Sequence, residues 1–176
     1  MTAEAALTKE RMLSLFEKLN HVLRSKGVKA DINLVGGAVM CLAFNARNAT
    51  MDIDAYFIPT QVVRDIAKDI AIQEGLSHAW LNDGVKGFFS ARGEFTLYLE
   101  KSHLTIYVAK PEYLLAMKCL SMRIGEEFSD IRDVAFLLRY LNIETLEHAI
   151  TTISHYYDFK KFPAKTKYVL QDLLAL

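Results

Sequence analysis

The chain has 176 residues, and its 21 Lys plus Arg balance its 21 Asp plus Glu, so the formal net charge is zero. That length suits one domain with a full hydrophobic core. A balanced charge argues against a protein that holds long nucleic acid mainly by electrostatics, although a local basic patch is compatible with it. The opening Met1-Thr2-Ala3-Glu4 starts an acidic and basic helix pattern, which is not that of a signal peptide. No apolar run approaches the roughly 18 residues needed to cross a bilayer. The two cysteines, Cys41 and Cys119, lie in apolar stretches with no second Cys or His at metal-ligand spacing. They read as buried thiols, and a cytoplasmic location without membrane contact is the expectation.

Residues from about 8 to 26 read as an amphipathic helix, with Met12, Leu15, Phe16, Leu19, Val22 and Leu23 on one face. Gly27 is placed to end it. Ile32 to Val35 reads as a short buried strand that stops at Gly36-Gly37, and Ala38 to Ala46 reads as a helix. Met51 to Phe57 alternates: Met51, Ile53, Ala55 and Phe57 form an apolar face, and Thr50, Asp52, Asp54 and Tyr56 form the other. Pro59-Thr60 breaks that strand, and Gln61 to Glu74 follows as a helix ending at Gly75.

Trp80-Leu81-Asn82-Asp83-Gly84 reads as a loop with a turn. Phe95 to Leu99 and Leu104 to Val108 both alternate around Lys101-Ser102, as a hairpin or as one bent strand. Pro111 suits the first turn of a helix that should run to about Arg123. Asp130 is placed to cap a further helix, and two more short helices are expected after Ile143 and after Thr166. Mixed elements followed by a run of helices predict an α/β (α+β) fold: a small mixed sheet over about 28–110 and a helical cap over about 111–176, together one domain.

Asp52 and Asp54 stand two residues apart on the predicted strand, so both carboxylates should point to one face. Two acids that close repel, and Asp is a poor strand former. A divalent cation offsets both costs, because Mg²⁺ takes oxygen ligands and is typically held by one or two carboxylates plus substrate phosphates. The alternative is a strand with one wet face carrying two solvated acids. Gly36-Gly37, between a predicted strand and a predicted helix, lets backbone N–H groups approach a phosphate. The alternative there is a tight turn. The Gly pair precedes the acids by about one short helix, so the two features could meet at one end of adjacent strands.

Gly36-Gly37 followed by Arg47-x-x-Thr50-x-Asp52-x-Asp54 resembles the signature of the nucleotidyltransferase superfamily, and its R-x-x-T-x-D-x-D form is similar to the AbiEii-like and MenT-like toxin branches. Glu112-Tyr113-Leu114-Leu115-Ala116-Met117-Lys118, then Arg123, Asp130 and Asp133, resembles the helical region that follows in those branches. Trp80-Leu81-Asn82-Asp83 looks like an element of an uncharacterised bacterial branch. The resemblance covers about residues 32 to 138. It implies a minimal nucleotidyltransferase fold and transfer of a nucleoside monophosphate from a nucleoside triphosphate to a hydroxyl, with Mg²⁺ or Mn²⁺ as cofactor. By the same analogy tRNA or another RNA is a candidate acceptor and a cognate antitoxin a candidate partner.

The resemblance also implies roles. Gly36 and Gly37 would cradle the phosphates, and Asp52 and Asp54 would hold the metal and position the acceptor. Arg47, Thr50, Lys118 and Arg123 would serve the nucleotide, with Lys118 neutralising triphosphate charge. Asp130 or Asp133 would fix Lys118 or Arg123, or touch the acceptor. Each has a plainer alternative: Thr50 satisfying strand backbone, Lys118 solvated or buried and paired, Asp130 a helix cap, and Arg123 with Asp133 a surface ion pair worth little. Many active members carry a third carboxylate on the strand beside the pair, and Leu104 to Val108 has none. Glu94 and Glu100 lie nearby, and Glu100 shares the polar alternation of Thr96 and Tyr98, which makes it the candidate third metal ligand. A nucleotidyltransferase-like binding module without chemistry is the second reading.

The five histidines show no ligand spacing. Lys160, Lys161, Lys165 and Lys167 form a basic stretch around Pro163, read as a solvated connector or an RNA contact. Tyr156, Tyr157 and Phe159 beside it read as packing residues or as base-stacking ones.

Overall fold

A computed structural model describes residues 6–123, 125 and 129–175. The Met1–Glu4 pattern lies outside the described residues. Helix α1 (Lys9–Lys26) starts where the Thr8 hydroxyl accepts the Arg11 N–H at 3.2 Å, and it ends at Gly27 in the left-handed region (φ 66°). Its stripe of Met12, Leu15, Phe16, Leu19 and Leu23 is fully buried. Each such side chain contributes roughly 1.5–3 kcal/mol relative to exposure.

Strand β1 (Leu7–Thr8) pairs antiparallel with β3 (Ala49–Thr50) in a two-stranded sheet. The main sheet has the order β5-β4-β2-β7-β6. Strand β2 (Ala30–Leu34) is central, antiparallel to β4 (Ile53–Ile58) and parallel to β7 (Leu104–Ala109). Strand β6 (Phe95–Glu100) forms the expected antiparallel hairpin with β7, and β5 (Leu81–Asn82) lies parallel to β4 at the other edge. Ile32, Leu34, Ala55, Phe57, Ile106 and Val108 form one buried face. Helix α1 packs against β7, and α3 (Thr60–Glu74) against β4. Helix α3 ends at Gly75 (φ 65°), as its sequence predicts. The architecture is mixed α/β, in the α+β sense, as expected.

The chain divides into two compact units. One runs to Gly87 and resumes over Phe95–Ala109; the other holds Phe88–Glu94 and everything from Lys110 onward. The second unit contains α4 (Pro111–Leu120), α5 (Asp130–Tyr140), α6 (Leu146–Ser154) and α7 (Ala164–Leu174). The buried Thr166 hydroxyl donates to the Cys119 carbonyl at 3.0 Å and so ties α7 to α4. The segment Phe88–Glu94 is bound into this unit. Ser90 N–H donates to the Tyr113 hydroxyl at 2.9 Å, and the Tyr157 hydroxyl donates to the Phe88 carbonyl at 2.5 Å. A Cβ on Gly93 would lie 2.6 Å from the Tyr113 ring, so only glycine allows that approach.

Several boundaries differ from expectation. Helix α2 (Gly36–Leu42) begins at the glycine pair and stops four residues early. Strand β4 begins at Ile53, and Met51 is 54% exposed rather than part of an apolar face. The two residues before Met51 are drawn into the small sheet with β1, which ends the alternation there. The Trp80 loop is instead a short strand, because the indole N–H donates to the Ala67 carbonyl at 2.8 Å and the Trp80 carbonyl accepts the Ile53 N–H at 2.7 Å. A 3₁₀ turn follows over Gly84–Phe88. Helix α4 stops at Leu120, and α7 starts at Ala164, before Thr166.

Candidate functional site

In the first unit β2 runs straight into the Gly-Gly pair. The Val35 N–H donates to the Asp54 carbonyl at 3.0 Å, which holds the end of β2 beside the start of β4. Gly36 has φ +67°, a conformation that favours glycine. A Cβ there would also lie 3.1 Å from Asp54 Oδ2. At Gly37 a Cβ would sit 2.7 Å from Arg47 Nη1 and 2.7 Å from Thr50 Oγ1. Gly36, Gly37, Arg47, Thr50 and Asp54, singled out in the sequence, are therefore brought together. The pair has a nearer task than cradling phosphate: it removes the side chains that would keep Asp54, Arg47 and Thr50 away from the β2–α2 corner.

Asp52 is placed differently from expectation. It stands one residue before β4, just outside the strand that carries Asp54. Both are half-buried. The buried Thr50 hydroxyl donates to the Asp52 carbonyl at 3.2 Å and fixes the turn that delivers Asp52. Beside Asp54 the register places Asn82 of β5, a residue that sequence reasoning left in a loop. The Asn82 side chain accepts the Gly84 N–H and donates to the Ala79 carbonyl, both at 3.2 Å. Asp83 next to it takes Arg64 at 2.7 Å and Lys86 at 3.3 Å. The signal for this corner was Trp80: an indole four residues before a Gly needs burial, which a free loop does not give.

The Asp54 carboxylate against the glycine backbone, with the Asp52 carboxylate two residues before it in sequence, is the oxygen chemistry that a hard divalent cation prefers. Glu100 does not join them. It pairs with Thr105, which aligns with Asp31 and Ile58. Ile58 is four residues along β4 from Asp54, about 13 Å, and three strand spacings, about 14 Å, separate β4 from β6. Glu100 and Asp54 cannot share one ion. The alternation with Thr96 and Tyr98 is broken by a register shift between Leu97 and Leu99, so Thr96 aligns with Val108 but Glu100 with Thr105, and the register sets Glu100 at the far end from Asp54.

Gly37→Ala tests the packing. The Arg47 tip can move, but Thr50 is buried and β-branched, so its hydroxyl or the backbone must shift. We expect a loss of about 1–3 kcal/mol in urea unfolding, in line with overpacking elsewhere.

The remaining predicted residues lie in the second unit. The Lys118 ammonium is buried between two buried carboxylates, 2.7 Å from Asp133 and 3.5 Å from Asp130. Asp130 also accepts the Arg123 N–H and Nε–H, both at 3.0 Å. Asp133 takes Lys118, and Arg123 takes Asp130. Nor does Asp130 cap α5; Ser129 holds that position and Asp130 is the first helical residue. Burial works to raise the Asp130 carboxyl, but the Arg123 side-chain hydrogen bond and the Lys118 charge outweigh it and hold it below its ordinary range. A carboxylate with a lowered native pKa stabilises the fold above its unfolded pKa of about 3.9, and this is lost as pH falls through the native value. Asp130→Asn should accordingly be less stable than wild type at pH 7, with the gap closing below about pH 4 in urea melts.

A family model described as "Nucleotidyltransferase of unknown function (DUF6036)" matches residues 10–169, which takes in both units. No curated protein and no solved structure matches the chain. Among the described residues no helix is long and apolar enough to cross a membrane.

Proposed function

The chain belongs to this family of nucleotidyltransferases of unknown function, and from that premise we propose that it moves a nucleoside monophosphate from a nucleoside triphosphate to a hydroxyl acceptor, with Mg²⁺ or Mn²⁺ as cofactor. The observation that carries the reading is the approach of Gly36 to the Asp54 carboxylate, within 3.1 Å of where a Cβ would stand. Asp52 and Asp54 would hold the cation, which would supply charge stabilisation to the phosphoryl oxygens as a Lewis acid. Thr50 orients Asp52 through its carbonyl. Arg47, lying on Gly37, offers a guanidinium to phosphate oxygens. The acids and Arg47 then work by fixed placement of charge rather than by covalent chemistry.

Within this reading RNA is the acceptor class we favour. Its support is the exposed Lys160, Lys161, Lys165 and Lys167 beside Tyr168, which is 67% exposed. Cations for the phosphate backbone and an aromatic face for a base are what single-stranded nucleic acid binds. A tRNA acceptor, a toxin role and a cognate antitoxin rest on the R-x-x-T-x-D-x-D resemblance alone.

The test is calorimetric titration of each Mg²⁺–nucleoside triphosphate into wild type and into Asp52→Ala/Asp54→Ala, followed by a labelled-nucleotide screen against total RNA. Binding confined to wild type and label transferred to RNA are expected. Folded wild type that binds no triphosphate would overturn the enzyme reading.

A further inference from the structure

We infer that this site provides carboxylates for a single divalent cation, because the positions on β7 that could add a third are Ala109 and Tyr107; the inference rests on the function proposed above. Strand β2 lies between β4 and β7. Leu34 pairs with Ala55 on one side and with Val108 on the other. One residue further, Val35 is bonded to Asp54, so the register continues from Asp54 through Val35 to Ala109. One pleat back the row is Tyr56, Asn33, Tyr107 and Leu97.

Alternation puts Asp54, Val35 and Ala109, and one pleat back Tyr56, Asn33 and Tyr107, on the face opposite Leu34, Ala55 and Val108; Val35 and Ala109 are buried there too. Two strand spacings, about 10 Å, separate the backbones of Asp54 and Ala109. Two carboxylate side chains with a cation between them can bridge that span. A methyl group and a phenol do not, and Asn33 offers only a neutral amide.

Two cations in one site stand about 3.5–4 Å apart and repel each other, so the second needs anionic ligands of its own. Two carboxylates plus the triphosphate suit one Mg²⁺. Among the described residues, no group of three or more His, Cys, Asp or Glu is arranged to hold a metal ion. The ion is therefore held jointly with the triphosphate, and free cation binds weakly.

The experiment is Mn²⁺ titration of the full chain, with and without a non-hydrolysable nucleoside triphosphate analogue, read by electron paramagnetic resonance and by calorimetric stoichiometry. One Mn²⁺ per protein–nucleotide complex is expected, with at least tenfold weaker Mn²⁺ binding when the analogue is omitted. Ala109→Asp or, should burial at that position unfold the chain, Tyr107→Asp is expected to raise the count to two and to give a spin-coupled Mn²⁺ pair. Two ions in wild type would overturn the count while leaving the proposed function standing, as would a folded acid variant at either position that gains none. A wild type that binds neither nucleotide nor Mn²⁺ would sink the proposed function and this inference with it.

Discussion

Asp54→Asn is expected to fold as wild type does and to lose the proposed nucleotidyl transfer by about 10²–10³-fold, the loss that follows removal of one fixed electrostatic group from an active site. Asn has nearly the shape of Asp, so the Gly36 contact and the β4 register survive the change. What goes is one of the two carboxylates proposed to hold the cation. Chelating the metal should reduce wild type to the level of the variant and leave the variant nearly unchanged. The measurements are thermal melts and single-turnover transfer with and without chelator. Transfer unaffected by Asp54→Asn would move the chemistry elsewhere in the chain.

Lys118→Met is expected to do the reverse, with stability as the first casualty. Both acids beside Lys118 are buried, with side-chain exposures of 6% for Asp130 and 4% for Asp133. Asp130 keeps Arg123, but Asp133 is left as a buried charge without its closest cation. Breaking a buried ion pair from one side costs about 3–5 kcal/mol. At about 2–4 °C per kcal/mol for a chain of this size, the melting temperature should fall by roughly 10 °C. Pairing the change with Asp133→Leu should recover much of the loss, because replacing both partners removes the buried carboxylate along with its cation. If Lys118→Met melts like wild type yet no longer binds triphosphate, the lysine is a phosphate ligand and the two acids merely store it. The structure favours the first outcome, since the ammonium already has two carboxylates within 3.5 Å.

The sequence revealed most where one residue settles a local choice. The apolar stripe of α1, its Gly27 end and the Gly75 end of α3 were legible because helical period and left-handed caps are local properties. The meeting of Gly36-Gly37 with Asp54 was legible because a strand, a short helix and a strand can bring them together with few alternatives. The position of Asp52 was not, since Met51 extends an apolar alternation that the pairing of Thr50 with Leu7 interrupts. Partner choice was also hidden. Nothing local tells Asp133 to take Lys118 and Asp130 to take Arg123; the packing of α4 against α5 decides it. Glu100 failed for the same reason, because period two is silent about the register shift between Leu97 and Leu99 and about which strands intervene.

The path of the chain between its two units has a consequence during synthesis. Phe88–Glu94 belongs to the helical unit, yet it leaves the ribosome before Tyr113 and Tyr157, to which it is bonded. A nascent chain of about 110 residues holds every strand of the main sheet, while that segment still waits for partners not yet made. The helical half therefore closes last, around seven residues supplied early. Expressed from Lys110 onward it would begin with Ser90 absent from Tyr113 and should fail to fold, whereas adding Phe88–Glu94 as a separate peptide should restore part of its helix content.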